Sequence, residues 1–186
     1  QKTKEGDIVS GFAMKSMSEI SVKLDILCLK TLSVIDEICK DANIKMEDID
    51  YNKPEIYEYT QDFSYRFGIF QLEGDGQGSA VQRIKPINIE ELSDVLAIAR
   101  PGAMAYIDDY VKVKKGEKQI PTVHPEWDEI LNKTKGVSAY QEQMMQLGNR
   151  VFGLTLDEAE QLRRIVGKKQ VEKMGEWKPK IYERAK

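Results

Sequence analysis

The chain is poor in the residues that staple, ligate or span. Its 186 residues include two cysteines, one histidine and two tryptophans. Cys28 and Cys39 lie on apolar, helical-looking ground, so a reducing compartment is expected and a disulfide framework is not. One His and two separated Cys cannot make a zinc-finger spacing. His124 stands in a turn-like His-Pro pair, with no Ser-His-Asp pattern around it. No run approaches the roughly 18 continuous apolar residues of a membrane span. The first five residues are polar and no apolar stretch follows them, so no secretory leader is expected. A Walker A lysine and a Rossmann-type glycine loop are both missing. Thirteen glycines and six prolines are too few for collagen-like or low-complexity chains.

What is present is a mixed-charge, core-forming sequence. Lys and Arg number 28 and Asp and Glu 31, giving a net charge of −3, with 41 % hydrophobic residues. That hydrophobic fraction excludes a disordered protein. The length is enough to bury a core without staples and fits one domain with a small appended piece. Opening on Gln1, the chain reads as the interior of a longer polypeptide.

The hydrophobic period changes along the chain. Residues 4–27 read as hairpin and strand, with Val22, Leu24 and Ile26 on one face and Lys23 and Asp25 on the other. From about Leu29 to Ala42 the spacing of Leu32, Ile35 and Ile38 is helical. Pro54 is placed at a helix start. Residues 88–91 (NIEE) and 155–158 (TLDE) have the form of capping boxes. Helices are expected from residue 88 to a stop at Pro101-Gly102, then over 107–115, 126–133, 139–151 and 155–166. Pro121 to Pro125 reads as a loop. One last helix, after Lys169, is expected to be cut by Gly175 and Pro179. The fold class is therefore α+β, mostly α, with a small N-terminal β element.

Few residues carry chemistry by pattern alone. Lys23 and Asp25 share a strand face, where a carboxylate could hold Mg²⁺ and an ammonium meet a phosphate. The same pattern also describes a solvated ion pair. A two-metal site needs two or three carboxylates to hold ions about 3.5–4 Å apart, and one is too few. Residues 162–169 (LRRIVGKK) carry four cations within seven residues. They suit phosphate, or equally a helix C-terminus complementing its dipole. Lys112, Lys114, Lys115 and Lys118 end another helix and read as a solvated face. Met144 and Met145 read as core filler. Asp48 and Asp50 read as a turn element rather than a metal motif. Residues 70–76 could form a phosphate nest, but Glu73 and Asp75 oppose it.

Taken together, several runs resemble the alpha subunit of bacterial DNA polymerase III, the C-family replicative polymerases. They are residues 22–32 (VKLDILCLKTL), 68–73 (GIFQLE), 100–102 (RPG), 107–110 (IDDY), 140–143 (YQEQ) with Met145 and Gln146, and 162–164 (LRR) with 167–169 (GKK). They follow the family's order and spacing from about residue 4 to the end. Departures from the family's pattern are Leu24, Ile26, Cys28, Gly74, Ala103, Ile165 and Val166, which mark a divergent member.

The resemblance implies a division into residues 1–28, the C-terminal part of a palm, and 29–186, the N-terminal part of a helical fingers domain. It implies that Asp25 is a catalytic carboxylate and metal ligand and that Lys23 approaches the triphosphate of the incoming nucleotide. Arg163, Arg164, Lys168 and Lys169 would grip triphosphate and template, and Tyr140, Gln141 and Gln143 would lie near the nascent base pair. The implied activity is DNA-directed DNA polymerase, with two Mg²⁺ ions in the intact enzyme. The implied partners are primer–template DNA, deoxynucleotides, a sliding clamp and other replisome subunits, in the cytoplasm and without a membrane. The two upstream catalytic aspartates of the family have no counterpart before residue 7, so these residues alone are expected to be inactive. Two alternatives stand beside this reading: a non-catalytic helical nucleic-acid-binding or scaffolding module, and a helical protein-interaction domain. The net charge of −3 argues mildly against a generic DNA binder.

Overall fold

The computed structural model describes residues 1–62, 64, 66–100, 102–120 and 122–185. The helix stop expected at Pro101 and the loop start expected at Pro121 lie outside the described residues. The chain divides into two compact units, Gln1–Asp48 and Ile49–Lys186. No helix among the described residues is long and apolar enough to cross a membrane.

The first unit holds α1 (Met14–Ile20), α2 (Lys30–Asp41) and a single 3₁₀ turn at Met46–Asp48. Helix α2 begins where the sequence changes period. Leu29 is still extended, at φ −120°, and the Ala42 N–H closes the last turn onto the Ile38 carbonyl at 2.9 Å. Its apolar stripe buries Cys39, while Asp36 and Lys40 pair one turn apart on the wet side at 2.6 Å. Cys28 is exposed, and both cysteines are free.

The β element expected over residues 4–27 does not form among the described residues. One isolated antiparallel bridge joins Lys2 and Ile8. Residues 14–20, which include the helix formers Met14, Lys15, Met17 and Glu19, close α1 instead, and residues 22–29 carry no regular structure. Alternation of Val22, Leu24 and Ile26 suits a pleated face, but a strand is held by hydrogen bonds to a neighbour. No neighbouring strand lies among the described residues, and these three side chains are 82 %, 85 % and 95 % exposed. The architecture described is therefore mostly α.

The second unit contains α3 (Pro54–Gln61), α4 (Asp75–Ile84), α5 (Ile89–Ile98), α6 (Ile107–Lys114), α7 (Pro125–Asn132), α8 (Gln141–Gln146), α9 (Leu156–Gly167) and α10 (Val171–Arg184). Helices α4, α5 and α6 pack around Val81, Ile84, Val95, Ile98, Ile107 and Tyr110, each 2 % exposed or less. A smaller apolar cluster joins Ile130 and Leu131 of α7 to Leu147 and Val151, with Trp127 and Phe152 against it.

Helix α4 was not legible in the sequence, because Gly76 and Gly78 each weaken a helix by about 1 kcal/mol relative to Ala. Burial of Ala80, Val81 and Ile84 outweighs that propensity. The single helix expected over residues 139–151 begins at Gln141 and runs without a break to Val151, as α8 and then a wider π-helical turn at Leu147–Val151. Helix α10 runs unbroken through Gly175 and Pro179. A proline ring crowds the carbonyl four residues back, and here that residue is Gly175 itself.

Charge fixes the ends of several helices. Asn88 Oδ1 accepts the Glu91 N–H at 2.8 Å. Glu91 itself reaches Lys114 of α6 at 2.6 Å in a nearly buried pair, and Lys114 also donates to the carbonyls of Ile84 and Lys85. Thr155 and Glu158 form the reciprocal capping box foreseen at the start of α9. Glu158 further accepts Lys180 at 2.6 Å and Arg184 at 2.8 Å, which ties α10 to α9. Gly153, at φ +63°, lets the chain pass under α10: a Cβ there would stand 2.8 Å from the Arg184 carbonyl oxygen.

The Lys180 ammonium, followed by the Thr155 N–H, holds the Glu158 carboxyl at about 2, below its ordinary 4.5. A lowered carboxyl contributes stability above the unfolded value near 4.5 and loses it as pH falls towards 2. Hydrogen-exchange protection factors of α10 in the intact polypeptide are therefore expected to fall between about pH 5 and about pH 2.5, while those of α5 persist. In Glu158→Gln, α10 is expected to be weakly protected already at the upper pH, with that acid loss largely gone.

Candidate functional site

Lys23 and Asp25 belong to the first unit. They form a solvent-exposed ion pair, Nζ to Oδ1 2.9 Å, with side chains 62 % and 58 % exposed. An exposed pair of this kind contributes about 0–1 kcal/mol, so it adds little to the fold. Among the described residues no group of three or more His, Cys, Asp or Glu side chains could hold a metal ion. Asp25 is one carboxylate, and these residues do not by themselves make a metal centre.

The other residues singled out in the sequence lie in the second unit, around α8 and α9. Residues 140–143 send three side chains to three different neighbours. The Tyr140 hydroxyl reaches Asp94 Oδ1 of α5 at 2.8 Å and lies 3.0 Å from Ser93 Oγ. Asp94 Oδ2 takes the Tyr110 hydroxyl of α6 at 2.8 Å. Burial pushes the Asp94 carboxyl above the usual carboxylate range, with the two tyrosine hydroxyls acting in the opposite sense. Burial likewise raises both tyrosines. Gln141, by contrast, is exposed and its Oε1 accepts Arg163 Nη1 of α9 at 2.5 Å.

Gln143 faces inward and is 7 % exposed. Its carbonyl oxygen accepts the N–H groups of Ala139 and Tyr140, at 2.9 and 3.0 Å. Its amide nitrogen donates to the Ile130 carbonyl at 3.2 Å and to Thr134 Oγ1 at 2.8 Å. The side chain satisfies the N–H of the cap residue Tyr140 and of the residue before it, and joins α8 to α7. Its amide is thus committed to the fold, whereas Gln141 stands at the surface.

Arg163 and Arg164 meet on one carboxylate, Glu160, which lies three and four residues before them on the same face of α9. Glu160 Oε2 takes Arg163 Nε at 2.6 Å, and Oε1 takes Arg163 Nη2 and Arg164 Nε, both at 2.7 Å. The two guanidiniums, Arg163 first, hold the Glu160 carboxyl at about 2, from 4.5. Arg163 is 24 % exposed and Arg164 67 %. Lys168 and Lys169 follow at the C-terminal end, both exposed. Lys169, at φ +52°, turns its Nζ to within 3.8 Å of where a Cβ on Gly102 would stand. The structure thus brings together Gln141, Arg163 and Arg164, and it sets Lys169 beside the glycine of residues 100–102.

Asp94, Glu91 and Glu160 were not among the expected residues. Glu160 was legible as a carboxylate at helical spacing ahead of two arginines. Glu91 and Asp94 were legible as polar side chains sharing the face of α5 that carries Val95 and Ile98. Beside them a cleft of about 660 Å³ opens between α5, α7 and α8, lined among others by Ser93, Asp94, Ile130 and Tyr140.

Residues 29–186 match the bacterial DNA polymerase III alpha subunit finger domain. The chain is similar to DNA polymerase III subunit alpha of Caulobacter vibrioides, with 38 % identity over 158 residues, covering 82 % of this chain and 14 % of that protein. To the subunit of the same name from Aquifex aeolicus it is 32 % identical over 191 residues, covering 98 % of this chain and 16 % of that protein. To that of Campylobacter jejuni it is 36 % identical over 182 residues, covering 93 % and 15 %. The chain therefore spans about a sixth of the length of these relatives at most.

The two glutamines of residues 140–143 are expected to separate in mutagenesis. Gln143→Ala strips partners from two backbone N–H groups and Thr134, at about 1–3 kcal/mol for each buried group left unsatisfied. Its local opening free energy by hydrogen exchange, read at α8 in the intact polypeptide, is expected to fall by at least about 2 kcal/mol. Gln141→Ala, an exposed change, is expected to stay within about 0.5 kcal/mol.

Proposed function

Since the chain belongs to the bacterial DNA polymerase III alpha subunit family, with its finger domain at residues 29–186, we propose that it serves DNA-templated deoxynucleotide addition. In this reading residues 1–28 are the edge of a palm, and residues 29–186 are fingers that bind the incoming deoxynucleotide and the template. The observation that carries it is the meeting of Gln141 with Arg163 and Arg164 beside exposed Lys168. That is a fixed cationic surface in a chain of net charge −3. Planar guanidiniums match phosphate oxygens two at a time, and a held cation places a triphosphate without reorganising. Tyr140 and Gln143 serve this surface from behind, by fixing the start of α8 that presents Gln141.

Asp25 is proposed as one of the carboxylates of the catalytic centre, with Lys23 its neighbour for a phosphate. The Mg²⁺ pair that the resemblance implies requires further carboxylates from elsewhere in the polypeptide. Residues 22–27 similarly complete a strand only against a partner strand from outside the described residues. Their exposed apolar side chains support that placement. Primer–template DNA is the partner this face calls for, and a sliding clamp and other replisome subunits are proposed for the intact protein in the cytoplasm.

Primer extension by the intact polypeptide, with Mg²⁺ and four deoxynucleotides, tests the palm assignment. Asp25→Asn is expected to lower extension by more than the about 10–100-fold typical of outer-shell partners of metal sites, with primer–template affinity retained. Undiminished extension would make residues 22–27 structural. A polypeptide that binds DNA with steep salt dependence but never extends a primer would favour the non-catalytic binding module.

A further inference from the structure

Two adjacent arginines in a phosphate-binding segment are ordinarily taken as equivalent grips. Here they are not equivalent. Arg163 lays Nε and Nη2 side-on against Glu160 and gives Nη1 to Gln141, so all three of its nitrogens are engaged. Arg164 is held at Nε alone. Its Nη1 and Nη2 make no hydrogen bond among the described residues, and its side chain is two-thirds exposed.

We propose that Glu160 is the positioning residue of this surface: it retires Arg163 into the fold and leaves Arg164 as the one arginine that meets the triphosphate. The proposal rests on the reading of this surface as triphosphate-binding, and it says which side chain makes the contact and which ones hold it. A carboxylate has about four acceptor sites, and Glu160 spends three of them on these two side chains. One of the two positive charges is thereby neutralised in place. The other stays at the surface on a guanidinium whose inner edge is fixed, with its outer pair of nitrogens facing solvent in the geometry that takes two phosphate oxygens at once. An unrestrained arginine has to be ordered when ligand arrives, and long side chains lose much rotamer freedom in that step. The tether at Nε makes part of that ordering a property of the folded protein. Gln141 completes the device from α8: by occupying Arg163 Nη1 it keeps that guanidinium flat against Glu160, and so keeps the carboxylate from swinging onto the outer nitrogens of Arg164.

Titration of the intact polypeptide with inorganic tripolyphosphate, by calorimetry, tests this in a double-mutant cycle. Arg164→Ala is expected to weaken binding by about 10-fold or more, and Glu160→Gln by about 3–10-fold. The double variant is expected to bind within about twofold of Arg164→Ala alone, because Glu160 acts through Arg164. In primer extension, Glu160→Gln is expected to raise KM for the deoxynucleotide with kcat within about twofold, the signature of lost ground-state placement. Glu160→Asp, which keeps the charge, is expected to recover part of the affinity. Hydrogen exchange over α9 checks that the helix persists in each variant. If Glu160→Gln leaves affinity unchanged or raises it, the carboxylate is a bystander or a competitor and the proposal falls. Multiplying losses in the double variant overturn the role of Glu160 alone and leave the triphosphate reading standing. An Arg164→Ala variant that binds tripolyphosphate normally overturns both.

Discussion

The second unit depends on how Asp94 is held. A carboxylate taken out of water costs several kcal/mol unless hydrogen bonds or a cation replace what it loses. Asp94 is 4 % exposed and is met by two tyrosine hydroxyls, from α6 and from the residue that opens α8. Two neutral donors do not fully offset the burial, which is why its proton is held more tightly than usual. The arrangement fixes three elements at a single point. The larger apolar cluster packs α4, α5 and α6 together, and Asp94 carries that order outward to α8 through Tyr140. Geometry there is specified more narrowly than apolar packing alone would specify it, since a hydroxyl displaced by an ångström leaves a buried charge short of a partner.

From α8 the order passes on through polar contacts. Gln143 ties the helix to α7, and Gln141 ties it to α9 through Arg163. Glu160 and Glu158 then share the work on α9, the first gathering the two arginines and the second gripping α10. Six residues of helix therefore act as a hub, and residues 140–143 earn their place as much by what they hold as by what they could touch. Gln143 is turned into the protein and the Tyr140 hydroxyl is engaged by α5, so both side chains hold the segment that presents Gln141.

Much of the helical layout was legible in the sequence. Asn88, Thr155 and Pro54 announced helix starts because capping and proline chemistry are local. The family likeness was legible because short runs recur in order. Three features were not. The segment over residues 22–27 reads as a strand, since alternation records which side chains share a face but not whether a neighbour strand is there to bond. Helix α4 was hidden by glycines whose cost only tertiary burial offsets. Gln143 and Gln141 look alike in sequence, and only the fold turns one inward and the other out. Glu160 belongs to a fourth kind: its spacing to Arg163 and Arg164 was in plain view, but a carboxylate that disarms one arginine and aims another is recognised only when the distances are known.

Helix α10 differs from the rest of its unit in the nature of its attachment. None of its side chains is fully buried. Its firmest links are Lys180 and Arg184 on Glu158, all partly open to water, with Gly153 giving the backbone room beneath. Contacts of that kind answer to ionic strength. The distance over which charges feel each other shrinks from about 10 Å at 0.1 M salt to about 3 Å at 1 M, and the apolar cluster around Val95 and Ile107 is indifferent to that change. These links of the C-terminal helix are of the kind that counterions weaken, and concentrated salt would loosen them while the apolar interior stayed as it was.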